Sequence, residues 1–376
     1  MACAVPVLRG AAEVTDLIVG GGVAGAAAAC LLGPGATLVE REAAPHDKVC
    51  GEFVSWEAQA ALAKLGLDVA ALGGAAIREV RLAHRAHLVV QELPGCGLGL
   101  SRRQLDAALL DLAESRGARV LRGHAVRHLV EGGAEVEGLG RIAARRVLLA
   151  TGKHDLRGCR RAVRPGDLVG LKMHYRLAPG QARAVAGAVE IILFPGGYAG
   201  LQPIEDGKAN LCLLIRRDAF AAAGSGWAGV VAHLRRSSVH LEARLEGAEE
   251  LFGRPVAIFG VPYGFVHGGG DPAGVLGRGV LRLGDQMGVI PSFSGDGIAI
   301  ALHTAFAAVG AGVGDAAGYH GRMRGELSGQ IGRAMVLHRM GQAAPGLVTA
   351  AARVWPGAMA WVARLTRVRQ ELAWQS

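Results

Sequence analysis

Apolar and polar positions fall into three textures along the chain. The first is a set of short, mostly apolar runs, at 14–19, 36–39, 147–150 and 280–283. Runs of this length, each closed by glycine or an acid, predict buried strands. The second texture begins at 168. Longer strands are expected over 168–177, 188–194 and 209–215. Pro195-Gly196-Gly197-Tyr198 and Glu205-Asp206-Gly207-Lys208 read as hairpin turns between them. This predicts a mostly antiparallel sheet from about 168 to 266, interrupted by a helix near 226–237. Alternation at Val80, Leu82, Leu88 and Val90 predicts further strands over 80–93, with a turn at 95–99.

The third texture is helical. A helix is expected over 56–64, ended by Gly66. Another starts near Ser101, carries Leu105, Leu109 and Leu112 on one face and closes at Gly117. Residues 119–130 predict one strand, and 298–308 a helix. The remainder reads as helical. The expected organisation is 1–167 and 276–312 as two parts of one nucleotide-binding unit, 168–275 as an inserted sheet, and 313–376 as a helical cap.

The first strand leads into Gly20-Gly21-Gly22-Val23-Ala24-Gly25 and then an alanine-rich helix. The glycines fall as G-x-G-x-x-G. Gly20 allows the tight turn, Gly22 lets backbone approach a pyrophosphate, and Gly25 lets the helix pack close on the strand. The N–H groups at the helix start face an anion. Glu40 ends the second strand, twenty residues beyond Gly20, where a carboxylate takes ribose hydroxyls. A dinucleotide follows from this stretch; NAD and FAD both remain open on it.

Composition narrows the class. An apolar content of 51% with 58 glycines fits a well-buried α/β protein. Six cysteines (Cys3, Cys30, Cys50, Cys96, Cys159, Cys212) lack C-x-x-C pairing and read as free thiols of a reducing cytoplasm. The formal charge is +9, of which eight arginines against Glu326 and Glu371 place +6 between 321 and 376. Without a basic block interleaved with aromatics, nucleic acid is not expected. No clean apolar run of about 20 residues appears, and the start lacks signal-peptide character. A soluble cytoplasmic protein is expected. The basic tail, with Trp355, Trp361 and Trp374, reads either as a cap on the sheet or as a peripheral membrane contact.

Four ordered motifs over 14–308 resemble the glutathione reductase-type FAD-binding fold of single-component flavoprotein hydroxylases. They are the glycine turn with Glu40, Arg102-x-x-Leu105, Ala150-Thr151-Gly152, and Gly284-Asp285 followed by Gly295-Asp296-Gly297. More narrowly, Lys48-Val49-Cys50-Gly51-Glu52 and Phe194-Pro195-Gly196-Gly197-Tyr198 resemble the geranylgeranyl-reductase-like branch. The resemblance implies an α/β Rossmann fold with an inserted, mostly antiparallel substrate sheet and a helical C-terminal tail. It implies FAD, with Gly20, Gly22, Gly25, Glu40, Arg102, Thr151, Gly152, Asp285, Gly295, Asp296 and Gly297 as its contacts. Val23, Ala24, Arg41, Cys50, Val126 and Ile298 complete the expected set. A helix starting at Gly297 would turn its positive end toward the flavin N1–C2=O edge.

Cys50, Glu52 and Tyr198 are the candidate catalytic residues, beside the flavin or on the substrate side. No second G-x-G-x-x-G suited to NADH or NADPH is found, so either is expected only as a transient reductant. The histidine pairs 84/87 and 124/128 do not make a metal site. The Trp-x-Trp-x-Ile-Pro signature of flavin halogenases and the Gly-x-Ser-x-Gly elbow of hydrolases are both absent. The expectation is an FAD-dependent monooxygenase acting on a lipophilic small molecule. Flavin-dependent C=C reduction is the second reading, and a non-catalytic nucleotide-binding redox sensor the third.

Overall fold

The computed structural model describes residues 13–162, 166–268, 279–355 and 357–367. Cys3 and Trp374, on which parts of the thiol and tail readings rest, lie outside these residues, as does the expected boundary at 275. The short apolar runs form the centre of a seven-stranded sheet. Its spatial order is Arg119–Arg122, Ala36–Glu40, Val14–Val19, Gly140–Leu149, Gly133–Val136, Val126–Val130, with Val280–Arg282 also on Gly140–Leu149. The first four and Val280–Arg282 pair in parallel. Gly133–Val136 pairs antiparallel with the start of Gly140–Leu149 on one side and with Val126–Val130 on the other. Ile18, Leu38 and Leu148 are fully buried under helices on one face, and Leu17 is buried on the other against Leu129, Ala134 and Val136 of the antiparallel strands. The helices Val23–Leu32, Arg102–Ser115 and Gly297–Gly310 pack together over one of these faces.

The second sheet has nine strands. Its order is Glu249–Glu250, Leu168–Arg176, Ala209–Arg216, Gly197–Pro203, Gly187–Phe194, Ala75–His84, His87–Gly99, Phe53–Val54, with Val256–Phe259 also on Leu168–Arg176. Every pairing is antiparallel except Gly187–Phe194 with Ala75–His84. The sheet therefore takes three strands from before residue 100, and 168–275 does not contain it alone. One face carries Leu171, Met173, Leu213 and Ile192 under the helices Trp227–Ser237 and Val239–Arg244. The other carries Leu168, Tyr198 and Leu214, with Ala352, Val348 and Met359 of the C-terminal helices packed on it.

Two local readings are corrected. Residues 119–130 form two strands of different pairing, because Gly123 turns the chain at φ 79°. Residues 95–99 are the end of strand His87–Gly99 rather than a turn. Their glycines serve close approach instead: a Cβ at Gly97 would lie 2.4 Å from the Phe53 ring, and one at Gly99 1.9 Å from the Pro203 carbonyl oxygen.

Candidate active site

A cavity of about 600 Å³ lies between the two sheets. Its nucleotide end is built by the glycine turn. Gly20 has φ 104°, and a Cβ there would meet the Ala150 carbonyl oxygen at 2.6 Å. A Cβ on Gly25 would stand 1.9 Å from the Gly20 oxygen, so helix Val23–Leu32 rests directly on the strand end. Gly22 differs from both. A Cβ there would meet only the Arg102 guanidinium at 3.4 Å and the Lys48 ammonium at 3.7 Å. The helix N-terminus thus opens on a space flanked by two cations, a cradle for a diphosphate. Gly22, Val23, Ala24, Glu40, Arg41 and Val126 all line it. The Glu40 carboxylate is oriented by the N–H groups of Gly21 (2.6 Å) and Glu42 (2.9 Å). The Arg41 side chain is half-exposed at the rim and paired with Glu42.

Arg102 and Lys48 are held in place by Asp106. Arg102 donates to both its oxygens at 2.9 Å, and Lys48 donates at 2.8 Å. Burial alone would raise the Asp106 pKa, but Arg102 and Lys48 outweigh it and hold the carboxyl below the ordinary aspartate value. Sequence reading missed Asp106 and named Lys48 only as part of the Lys48–Glu52 motif, without a role. The visible signal was an Arg-x-x-x-Asp pair one helical turn apart.

The middle of the cavity is formed by two stapled turns. Asp285 and Lys153 pair at 3.0 Å across the cavity wall. Burial disfavours the Lys153 charge, yet Asp285 outweighs it and raises the ammonium above its usual range. Buried Arg161 donates to the Asp285 carbonyl at 3.1 Å and to the Asp155 carboxylate at 2.7 Å, and bonds the Lys153 carbonyl as well. Gln286 donates to the carbonyls of Gly152 (2.8 Å) and His154 (3.0 Å). Thr151 and Gly152 line the cavity, and Thr151 donates to the His154 carbonyl. Gly295, Gly297 and Ile298 also line it, at the start of helix Gly297–Gly310. Asp296 does not. Its carboxylate turns inward to Gln330 and to Arg367 (3.4 Å), so it anchors the loop while the backbone around it faces the cavity. Gly25 likewise acts through packing rather than from the cavity wall.

The expected catalytic residues separate. Cys50 lines the cavity. Its carbonyl and that of Gly51 accept from Asn210 Nδ2 at 3.0 and 2.9 Å. Glu52 lines the cavity too but is fully buried, at φ 61°. Its Oε1 accepts from Lys172 at 2.5 Å and from the Arg102 N–H at 2.8 Å, and its Oε2 lies 2.7 Å from His174 Nε2. Both oxygens are committed, which fits a latch between the sheets better than an acid facing substrate. Asp47, Glu52 and His174 bring possible ligand atoms within 4.8 Å of one another, but the Lys172 ammonium bonds both acids and supplies the positive charge there. Tyr198 is packed under the wall. Its hydroxyl bonds Ser292 Oγ at 2.8 Å, and burial pushes its pKa up to about 12. Ser292 lines the cavity, as does Tyr263, whose hydroxyl accepts from the Ser292 N–H at 3.1 Å.

Beyond these turns the wall becomes apolar, with Leu214, Val256, Ile258, Val261 and Ile290. Cys212 joins them, its thiol raised to about 12 by burial and the neighbouring Cys50. Lys172, His174, Asn210, Cys212 and Leu214 share the cavity face of two adjacent strands, at period two. Two polar positions alternating with Leu171, Met173 and Tyr175 on a buried strand were the sequence signal for that face.

No protein-family model and no curated protein matches the chain. Solved structures match in fold. Flavin-dependent brominase Bmp2 superposes with a TM-score of 0.74 at 18% identity, over 94% of this chain and 93% of that one. P. aeruginosa PqsL, in complex with 2-aminobenzoylacetate, gives 0.68 at 19% identity, over 88% and 97%. A geranylgeranyl bacteriochlorophyll reductase-like protein from Thermoplasma acidophilum gives 0.68 at 16% identity, over 97% and 95%. The chain has the fold that these proteins share.

Proposed function

We propose that the chain is an FAD-dependent oxidoreductase that hydroxylates a lipophilic small molecule, with NADH or NADPH as a transient reductant. The observation that carries this is one continuous cavity. It joins a cation-flanked glycine cradle to an apolar chamber, with Asp285, Lys153 and the Gly295–Gly297 backbone between. These residues fit an FAD: Gly22 leaves room where a side chain would fill the cradle, and Lys48 and Arg102 complement a diphosphate. A nucleotide sensor has no need of the apolar chamber, which favours an enzyme.

Bound FAD would supply the redox chemistry, carrying two electrons from nicotinamide to O2 or to a C=C bond. The chain's own residues bind and orient. Asp106 fixes Arg102 and Lys48 at the diphosphate end. Lys153 and Arg161 fix Asp285 at the middle. Leu214, Val256, Ile258, Val261 and Ile290 exclude water from the chamber. The hydroxyls of Tyr263 and Ser292 offer hydrogen bonds to a polar group of the substrate. The same chain, Tyr198–Ser292 with Tyr263 beside it, could deliver a proton to a carbon and so favours C=C reduction as the second reading.

The first test is the visible spectrum of the purified protein. A stoichiometric flavin spectrum is expected, and failure to retain added FAD overturns the cofactor assignment. The second is anaerobic photoreduction followed by air, with lipophilic aromatic and isoprenoid compounds present. Oxygenated product is expected. Peroxide alone, or a saturated product formed without O2, removes the monooxygenase reading.

A further inference from the structure

The helix Pro345–Val354 has the sequence Pro-Gly-Leu-Val-Thr-Ala-Ala-Ala-Arg-Val, with a single charge. Its inner face, Val348, Thr349 and Ala352, packs on the second sheet. Its outer face is apolar too. Leu347, Ala350, Ala351 and Val354 stand at helical spacing in solvent, Leu347 74% and Val354 80% exposed. A helix that is apolar all round requires cover on both sides. The surface continues onto neighbouring elements. Val336 and Met340 are exposed at the end of helix Ala316–Ala343, which leads into Pro345–Val354 through Ala344. Trp355 and Trp361 follow, half-exposed, with ring centroids 5.2 Å apart. The segment is held rigidly at its base: Gln91 Nε2 donates to the carbonyls of Ala352 (2.9 Å) and Trp355 (3.3 Å), and its Oε1 accepts from the Met359 N–H (3.0 Å).

Charge says what covers this face. From 327 to 367 the chain has five arginines and no carboxylate. Arg339, Arg353 and Arg364 are exposed among the apolar residues. A second copy of the chain would bring like charges together. A bilayer with anionic headgroups accepts both features at once: aliphatic side chains enter the acyl boundary, tryptophans settle at headgroup level, and arginines reach lipid phosphates. No described helix is long and apolar enough to cross a membrane. We propose that the outer face of the C-terminal helices, centred on Leu347, Val354, Trp355 and Trp361, docks the protein on the surface of an anionic bilayer.

The test uses the full chain and extruded vesicles in co-sedimentation, so it does not depend on the flavin reading. Binding is expected to vesicles containing phosphatidylglycerol, with weak binding to pure phosphatidylcholine and loss in high salt. Arg353→Gln should weaken it about fivefold, one basic contact at the surface. Leu347→Asp and Val354→Asp should each abolish it while leaving the thermal melt unchanged, since both side chains already stand in water. Tryptophan emission should shift to the blue on binding. Equal affinity for neutral and anionic vesicles, or undiminished binding by the two aspartate variants, overturns the proposal. So does a stable dimer in light scattering that either aspartate variant splits into monomers.

Discussion

The two ends of the cavity are made in opposite ways. The nucleotide end is mostly backbone: a helix terminus, a turn at φ 104° and glycines whose missing side chains shape the space. The chamber end is side chains projected from the strands that begin at 209 and 256, joined by Val261, Tyr263, Ile290 and Ser292. Backbone sites need glycine at fixed spacing, so they leave a mark in sequence. Side-chain sites need only that distant strands align in register, and many residue sets satisfy that. The contrast extends to what substitutions should do at each end.

The largest effect is expected where backbone packs on backbone. Gly25→Val would drive a branched side chain onto an oxygen 1.9 Å from its Cβ, and no neighbour can yield. The strain exceeds the usual overpacking cost of about 1–3 kcal/mol. Expression should give little folded protein by circular dichroism. Gly22→Val separates folding from binding. Its Cβ points into the cradle, so the melt should stay near wild type while FAD retention is lost. Stoichiometric FAD in folded Gly22→Val would refute the cradle.

Next comes the latch joining the two ends. Lys172 is fully buried and neutralises Asp47 and Glu52. Burial works against its charge, but the two carboxylates raise its pKa above the usual lysine value. Lys172→Met would strand both acids, and breaking a buried pair in this way costs about 3–5 kcal/mol. Urea denaturation at neutral pH measures it. A loss under about 1 kcal/mol would mean that the charges are solvated rather than latched.

How legible each end was follows from the same contrast. The glycine turn, Glu40 and the Gly-Asp strand could be read because backbone geometry restricts which residues fit. Asp296 shows the limit. Its position at the start of helix Gly297–Gly310 was readable, but its direction was not, because Gln330 comes from helix Ala316–Ala343 and Arg367 from just beyond helix Ala358–Thr366, and no local pattern encodes their docking. Glu52 is similar: sequence identified the segment, while its partners Lys172 and His174 come from a strand 120 and 122 positions away. Tyr263 and Ser292 carried no motif. The strands Ala75–His84 and His87–Gly99 were recognisable as strands, but membership of the second sheet depends on one parallel pairing with Gly187–Phe194.

A smaller, pH-dependent effect should appear at the cradle. Because the folded Asp106 pKa lies below its ordinary value of 3.8, its pairing stabilises the native state above the ordinary aspartate range. That contribution is lost as pH falls through the depressed value. Asp106→Asn should therefore lower the melting temperature at pH 5–7, with the gap to wild type closing below about pH 4. A gap independent of pH would assign the loss to packing.

The smallest effect is expected at the chamber. Tyr263→Phe removes one hydroxyl that accepts from the Ser292 N–H, and Tyr198→Phe removes one that bonds Ser292 Oγ. A single neutral hydrogen bond is worth about 1 kcal/mol, or roughly fivefold in an equilibrium. If Tyr263 contacts substrate from the wall, its loss should raise KM by about that factor, with FAD absorbance unchanged. Tyr198 lies one residue behind, so its loss should move KM less and act through the position of Ser292. If Tyr198→Phe instead lowers kcat with KM unchanged, and solvent deuterium slows wild type but not the variant, the hydroxyl chain moves a proton. That result would shift the chemistry of the chamber from hydroxylation toward reduction of a C=C bond.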